Sequence, residues 1–322
     1  MFWFCFVPFF MFILGGCVTD GMIIRAIARY FTKSSPVVLP DDYDEIRSRV
    51  TGWVDQPYGN PKKNEILDVY RPKNTEEKLP LILWVHGGAF ITGSKEETVP
   101  YMVMLADRGF VTATINYQVA PDAQYPTPVL QTAKAYQFLL ENAERFGIDP
   151  QRIFVGGDSA GAQIAAQFLV AQTSSEYAQR TNLPQVADKK ALRGALLFCG
   201  PYDITKFDSM GQNTSLSKAL EAIARQYLGV KEWRTSQQAQ DASVIHHVTS
   251  DFPTTFITDG ENYSFPEHAY DFATQLNTLG VDVQLVMYPG AGLNHEYQFS
   301  MNLPEAQVTF EKLVEFVRKQ GA

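Results

Sequence analysis

Gly157-Asp158-Ser159-Ala160-Gly161 is the stretch whose reading decides the fold. It has the form Gly-x-Ser-x-Gly. An apolar run, Arg152-Ile153-Phe154-Val155-Gly156, precedes it, and a helix-like run from Gln163 to Val170 follows. Together they describe a strand that turns sharply into a helix with a serine hydroxyl exposed at the tip, the context of a nucleophile elbow. Small residues flank Ser159 because so tight a turn has no room for larger side chains. The pentapeptide alone occurs by chance in many chains. It gains meaning from an oxyanion site before it and a histidine after it.

The sequence on either side of the elbow alternates. Leu81 to Val85 is a short continuous apolar run, as expected of a strand buried on both faces. Phe110 to Tyr117, Leu192 to Cys199, Thr254 to Thr258 and Val283 to Tyr288 read as further strands, and Trp53-Val54 and Ile66 to Tyr70 as earlier ones. Helices are expected near Tyr101 to Asp107, from Pro128 to Phe146, and from Pro304 to Lys319. This alternation predicts an α/β fold, a mostly parallel central sheet with helices on both faces. Ile204 to Ser250 breaks the rhythm. It is polar, carries a helix near Leu216 to Leu228, and reads as a small helical cap inserted over the strand tips. The expected organisation is a leader over 1–17, an N-terminal helix and cap segment over 18–64, and one domain over 65–322 with its insertion near 204–250.

The composition is that of a globular chain with a large core: 322 residues, 45% hydrophobic and 19% charged. The net charge is −8 and no basic patch stands out, which excludes nucleic acid as the expected partner. Met1 to Leu14 is apolar and suits the core of a signal peptide. It ends in Leu14-Gly15-Gly16-Cys17, which resembles a bacterial lipobox. That reading predicts an exported protein held at the membrane of the cell envelope through a lipid on Cys17. No Lys or Arg precedes the apolar run, so an uncleaved hydrophobic tail is the alternative. Met22 to Phe31 reads as an amphipathic helix packed over the active-site mouth. Removal of Cys5 and lipidation of Cys17 would leave Cys199 alone, as a buried small hydrophobe with no disulfide.

His86-Gly87-Gly88-Ala89-Phe90 directly follows the strand Leu81 to Val85. Its glycines let the backbone approach a substrate oxygen closely. The N–H groups of Gly87 and Gly88, with that of Ala160 just after the serine, are the expected oxyanion donors. His86 is expected to orient this loop.

His86-Gly87-Gly88-Ala89-Phe90 taken with Gly156-Gly157-Asp158-Ser159-Ala160-Gly161 resembles the hormone-sensitive-lipase-like branch of the α/β-hydrolase superfamily. Asn116-Tyr117-Gln118-Val119-Ala120-Pro121 is similar to that family's Tyr-Arg-Leu-Ala-Pro stretch, with Gln in place of Arg. The resemblance covers about Ile66 to Phe316. It implies an α/β-hydrolase fold and a carboxylic-ester hydrolase of short acyl chains, with no cofactor and no metal. It makes Ser159 the nucleophile and implies a base after the last strand, where His295 stands. His246, His247 and His268 fall elsewhere. The family places an Asp two or three residues past the glycine that ends the strand Thr254 to Asp259, but here that place reads Gly260-Glu261-Asn262-Tyr263-Ser264-Phe265. Glu261 is the nearest acid and the expected third member of the triad. Asp203, Glu267 and a dyad with no acid stand as alternatives. Glu267 has a structural reason of its own, since Ser264-Phe265-Pro266-Glu267 reads as a capping box. Asp259 falls too early, still on the strand. An amidase or peptidase with the same machinery, or a ligand-binding member that has lost catalysis, would share most of these features.

Overall fold

The structure is a computed structural model that describes residues 37–208 and 215–322. The apolar leader, Cys17 and the helix expected over 22–31 lie outside the described residues. Among the described residues no helix is long and apolar enough to cross a membrane.

Eight strands form one sheet: β1 (Val50–Pro57), β2 (Ile66–Pro72), β3 (Leu79–Val85), β4 (Val111–Ile115), β5 (Ile148–Asp158), β6 (Leu192–Phe198), β7 (Thr255–Thr258) and β8 (Val283–Val286). Their order is β1-β2-β4-β3-β5-β6-β7-β8. β2 runs antiparallel to both β1 and β4, and every pair from β4 to β8 is parallel. The expected mostly parallel sheet is therefore present.

Period-two side-chain alternation divides β3 between two cores. Leu81, Leu83 and Val85 face a cluster built with the helices Thr127–Glu141 and Ala160–Thr173. Ile82 and Trp84 face the opposite cluster, built with the helices Val99–Asp107 and Pro304–Gln320. Both faces are covered, so the strand reads as an unbroken apolar run. The helix after the elbow, Ala160–Thr173, is buried along its whole length. The single helix expected from Pro128 to Phe146 is interrupted at Asn142 and resumes as a short turn, Ala143–Phe146, which ends on Gly147 in the left-handed region.

The segment between β6 and β7 carries the expected helix as Ser215–Leu228, and a second, Gln237–Ala242. It packs on the loop after β3: the Phe90 ring stacks on Tyr227 at 4.0 Å and meets Phe207 edge-on at 5.8 Å. β3, β5, β6 and β7 are neighbours that run the same way, so Val85, Asp158, Phe198 and Thr258 deliver the residues after them to one edge of the sheet.

Candidate active site

Ser159 sits between β5 and the helix Ala160–Thr173 with φ 53° and ψ −119°. A non-glycine residue in such a region carries strain of about 1–3 kcal/mol and persists only where the surroundings hold it. The Ser159 N–H donates to Phe198 O at 2.7 Å, and its carbonyl accepts from Ala162 at 3.1 Å and Gln163 at 3.3 Å. A Cβ on Gly161 would run into the carbonyl oxygens of Val85 and His86. That close approach of helix to strand is the physical reason for the second glycine of the motif.

The loop after β3 is held from several sides. The buried His86 ring stacks on Tyr117 at 4.3 Å, and the Tyr117 hydroxyl donates to His86 O at 2.8 Å. His86 Nδ1 lies 2.6 Å from Gly87 O, and burial pushes its pKa down to about 4. This agrees with the orienting role expected of it. Gly88 has φ +111°, and a Cβ there would strike the carbonyl of Thr92. Ala89 and Phe90 also take positive φ.

The oxyanion donors need one correction. Gly87 N–H is already taken: it donates to Asp158 Oδ2 at 2.7 Å, while Asp158 Oδ1 accepts from Trp84 Nε1 at 2.7 Å. Gly87 is thus a clamp on the elbow. Among the described residues, the backbone N–H groups of Gly88, Ala89 and Ala160 donate to no backbone acceptor. Ala89 was not expected from the sequence, and its alanine Cβ concealed it.

His295 lies in the loop after β8, with Nε2 2.9 Å from Ser159 Oγ. Nδ1 is 2.7 Å from the hydroxyl of Ser264. Ser264 Oγ in turn donates to Asp259 Oδ1, which also accepts the N–H of Gly260 at 2.7 Å. Ser159, His295, Ser264 and Asp259 therefore form one hydrogen-bonded line. Burial pushes the His295 pKa down to about 4 and that of Asp259 up to about 7, against which the Ser264 hydrogen bond pulls.

The expected triad acid is corrected. Glu261 turns outward, and its two carboxylate oxygens accept the N–H groups of Gly290 and Gly292, each at 2.6 Å. These bonds hold its pKa below the ordinary value. Asp203 accepts from Thr205 N–H at 3.1 Å and pairs with Lys206. The capping box over Ser264 to Glu267 does not form: Phe265 is the N-cap of the helix Pro266–Thr278, with no side-chain cap bond. Ser264 is committed to Asp259 and His295 instead. Asp259, set aside as too early, is the first residue past β7 and reaches the site through that serine.

Among the described residues, Cys199, Asp259 and His295 have ligand atoms within 4.8 Å of one another. Each His295 ring nitrogen already faces a serine hydroxyl, so a metal there would displace one of them. The Cys199 thiol is buried and accepts the N–H of Glu296 at 3.4 Å, and burial raises its pKa well above the usual thiol range. A row of aromatic rings runs from the base to the oxyanion loop. Phe265 lies 5.9 Å from His295, stacks with Phe207 at 5.7 Å, and Phe207 leads on to Phe90 and Tyr227.

A family model described as BD-FAE matches residues 67–269, more than half of the chain. The isoprenylcysteine alpha-carbonyl methylesterase of Arabidopsis thaliana is 28% identical over 241 residues, covering 72% of this chain and 54% of that protein. Esterase LipQ of Mycobacterium tuberculosis is 28% identical over 210 residues, covering 64% and 48%. The chain spans about half the length of these curated relatives. The solved structure of esterase B from Lactobacillus rhamnosis superposes with a TM-score of 0.77 at 17% identity, over 94% of this chain and 96% of that one. At that identity the likeness is one of fold.

Proposed function

The chain belongs to the BD-FAE family and has the α/β-hydrolase fold, and from these and the site's geometry we propose that it hydrolyses carboxylic esters through an acyl-enzyme on Ser159. The observation that carries the reading is the hydrogen-bonded line from Ser159 through His295 and Ser264 to Asp259. Esterase names among the relatives support the substrate class.

In the proposed reaction Ser159 Oγ attacks the ester carbonyl carbon as its proton passes to His295 Nε2. The carbonyl oxygen gains the negative charge and is met by the N–H groups of Gly88, Ala89 and Ala160. The depressed pKa of His295 keeps the imidazole neutral and able to accept that proton. Collapse of the intermediate breaks the ester C–O bond, and His295 returns the proton to the leaving alkoxide. A water molecule then gives a proton to the same nitrogen and attacks the acyl carbon; the acyl–Oγ bond breaks, His295 returns the proton to Ser159 Oγ, and the carboxylic acid leaves. Ser264 and Asp259 stabilise the imidazolium through Nδ1.

A preference for short acyl groups belongs to the same proposal; the rates on p-nitrophenyl esters of increasing chain length test it. Lipidation at Cys17, which would hold the enzyme at a membrane, belongs to the same proposal; loss of labelled fatty-acid incorporation in Cys17→Ser tests it. For the reaction itself, Ser159→Ala should abolish hydrolysis of p-nitrophenyl acetate and labelling by a fluorophosphonate probe. Wild-type rates in that variant would end the proposal.

A further inference from the structure

Glu296 follows the base directly and holds a positive φ of 59°. Its Oε1 lies 3.7 Å from His295 Nε2, the nitrogen that receives the proton. The same carboxyl lies beside that of Asp158, the residue before the nucleophile. The two crowd Gly87: a Cβ on that glycine would meet Asp158 Oδ2 and lie 2.9 Å from Glu296 Oε1. One contact thus joins the base loop, the elbow and the oxyanion loop.

Two ionised carboxylates placed side by side in a buried site repel each other, and a proton shared between them turns that repulsion into a hydrogen bond. Asp158 already accepts from Trp84 Nε1 and Gly87 N–H, so it is the acceptor and Glu296 the donor. Resting on the esterase reading, we propose that Glu296 is a positioning residue, held as a neutral acid, whose proton to Asp158 ties the base loop to the nucleophile elbow. Burial raises both groups, Asp158 to about 6 and Glu296 well above the carboxylate range, in keeping with that assignment. The ionisable carboxyls facing Glu296 are Asp158 at the end of β5, Asp259 after β7, and Glu97 in the turn Lys95–Glu97, with the His295 ring beside it. All three carboxyls oppose its ionisation. When alkaline pH removes the proton, two negative charges face each other beside Gly87, and the tie becomes a repulsion.

The test compares wild type, Glu296→Gln and Glu296→Ala. Gln keeps a donor toward Asp158 and cannot titrate. Wild-type kcat/KM should fall on the alkaline side, and that fall should be missing in Glu296→Gln. Glu296→Ala should lose about tenfold or more in kcat, part of which Gln restores. In the infrared, wild type at neutral pH should show the carbonyl stretch of a buried protonated carboxylic acid that Glu296→Gln lacks. An alkaline fall identical in wild type and Glu296→Gln, or no band difference between them, would overturn the proposal. If wild type neither hydrolyses esters nor takes a fluorophosphonate label, the esterase reading fails, while the infrared difference still decides whether Glu296 holds the proton.

Discussion

Replacing Ser264 by Ala removes the hydroxyl that joins His295 Nδ1 to Asp259 and leaves the other members in place. The lost contacts are the 2.7 Å bond to the imidazole and the bond to the carboxylate. Both sit in a buried setting, Ser264 at 6% and Asp259 at 2% exposure. When His295 takes the Ser159 proton, its Nδ1–H donates to a hydroxyl polarised by an anion. A hydrogen bond involving a charged group contributes about 1.5–3 kcal/mol. At about 1.4 kcal/mol per tenfold in rate, kcat should fall by about 10- to 150-fold with KM little changed. That is less than the ~10⁴ lost when an acid in direct contact with the base is neutralised, because here the charge acts across an intermediary. Steady-state hydrolysis of p-nitrophenyl acetate reads the effect, with a thermal melt to confirm folding. Because the two residues act as a unit, Ser264→Ala combined with Asp259→Asn should be no slower than the worse single variant. Glu261→Gln serves as the contrast. Its exposed carboxylate braces only Gly290 and Gly292, so its rate should stay within about twofold. A Ser264→Ala enzyme within twofold of wild type, beside a Glu261→Gln enzyme that has lost tenfold or more, would refute the reasoning.

Other consequences can be measured directly. The kcat/KM profile should show two steps on its acid side: one near 7 as Asp259 loses its charge, and one near 4 as His295 becomes protonated. The two groups are coupled, so these values describe the pair; Asp259→Asn should erase the upper step, and a single step at an ordinary histidine pKa in both proteins would contradict the assignment. Gly161→Ala places a methyl against the backbone carbonyls of Val85 and His86, which cannot swing aside. It should cost about 3 kcal/mol, or about 4–5 °C in Tm for a chain of this length, and an unchanged melt would show that the elbow can relax. Stability should also respond to pH through Glu296. Its folded pKa is raised, so its contribution is complete below the unfolded carboxylate value and declines as pH climbs toward the folded one. The Tm of Glu296→Gln relative to wild type should therefore improve from mildly acid to neutral pH, and a constant difference would speak against a proton held on that carboxyl.

The strands, the elbow at Ser159 and the place of His295 were legible because each depends on short-range pattern and chain order. The acid was not, because its identity depends on how two loops run side by side. Glu261 and Asn262 N–H both donate to Leu293 O, His295 N–H donates to Asn262 O at 2.9 Å, and a Cβ on Gly260 would strike Asn294. This pairing turns Glu261 outward and leaves Ser264 facing the imidazole, an outcome no local spacing reports. Ser264 was also misread because Ser-x-x-Glu before a helix is a good capping pattern, whereas here Phe265 starts the helix and tertiary contacts claim the serine. Gly87 followed the same logic: two glycines after a strand announce an oxyanion loop, but only the side chain of Asp158 reveals which N–H is already taken.

The imidazole of His295 has a serine hydroxyl at each end, 2.9 Å on one side and 2.7 Å on the other. In its two hydroxyl contacts the ring is nearly mirror-symmetric. Swapping the ring proton from one nitrogen to the other, with both hydroxyls turning over, gives an arrangement with the same bonds and no capacity to deprotonate Ser159. What distinguishes left from right is one charge, two bonds away from the ring. An ionised Asp259 can only accept, so Ser264 must point its hydrogen toward it and receive the one on Nδ1, which leaves Nε2 bare. The carboxylate at the end of β7 thus acts as a symmetry-breaking element, and its protonation would let the ring populate an orientation in which the nucleophile has no base.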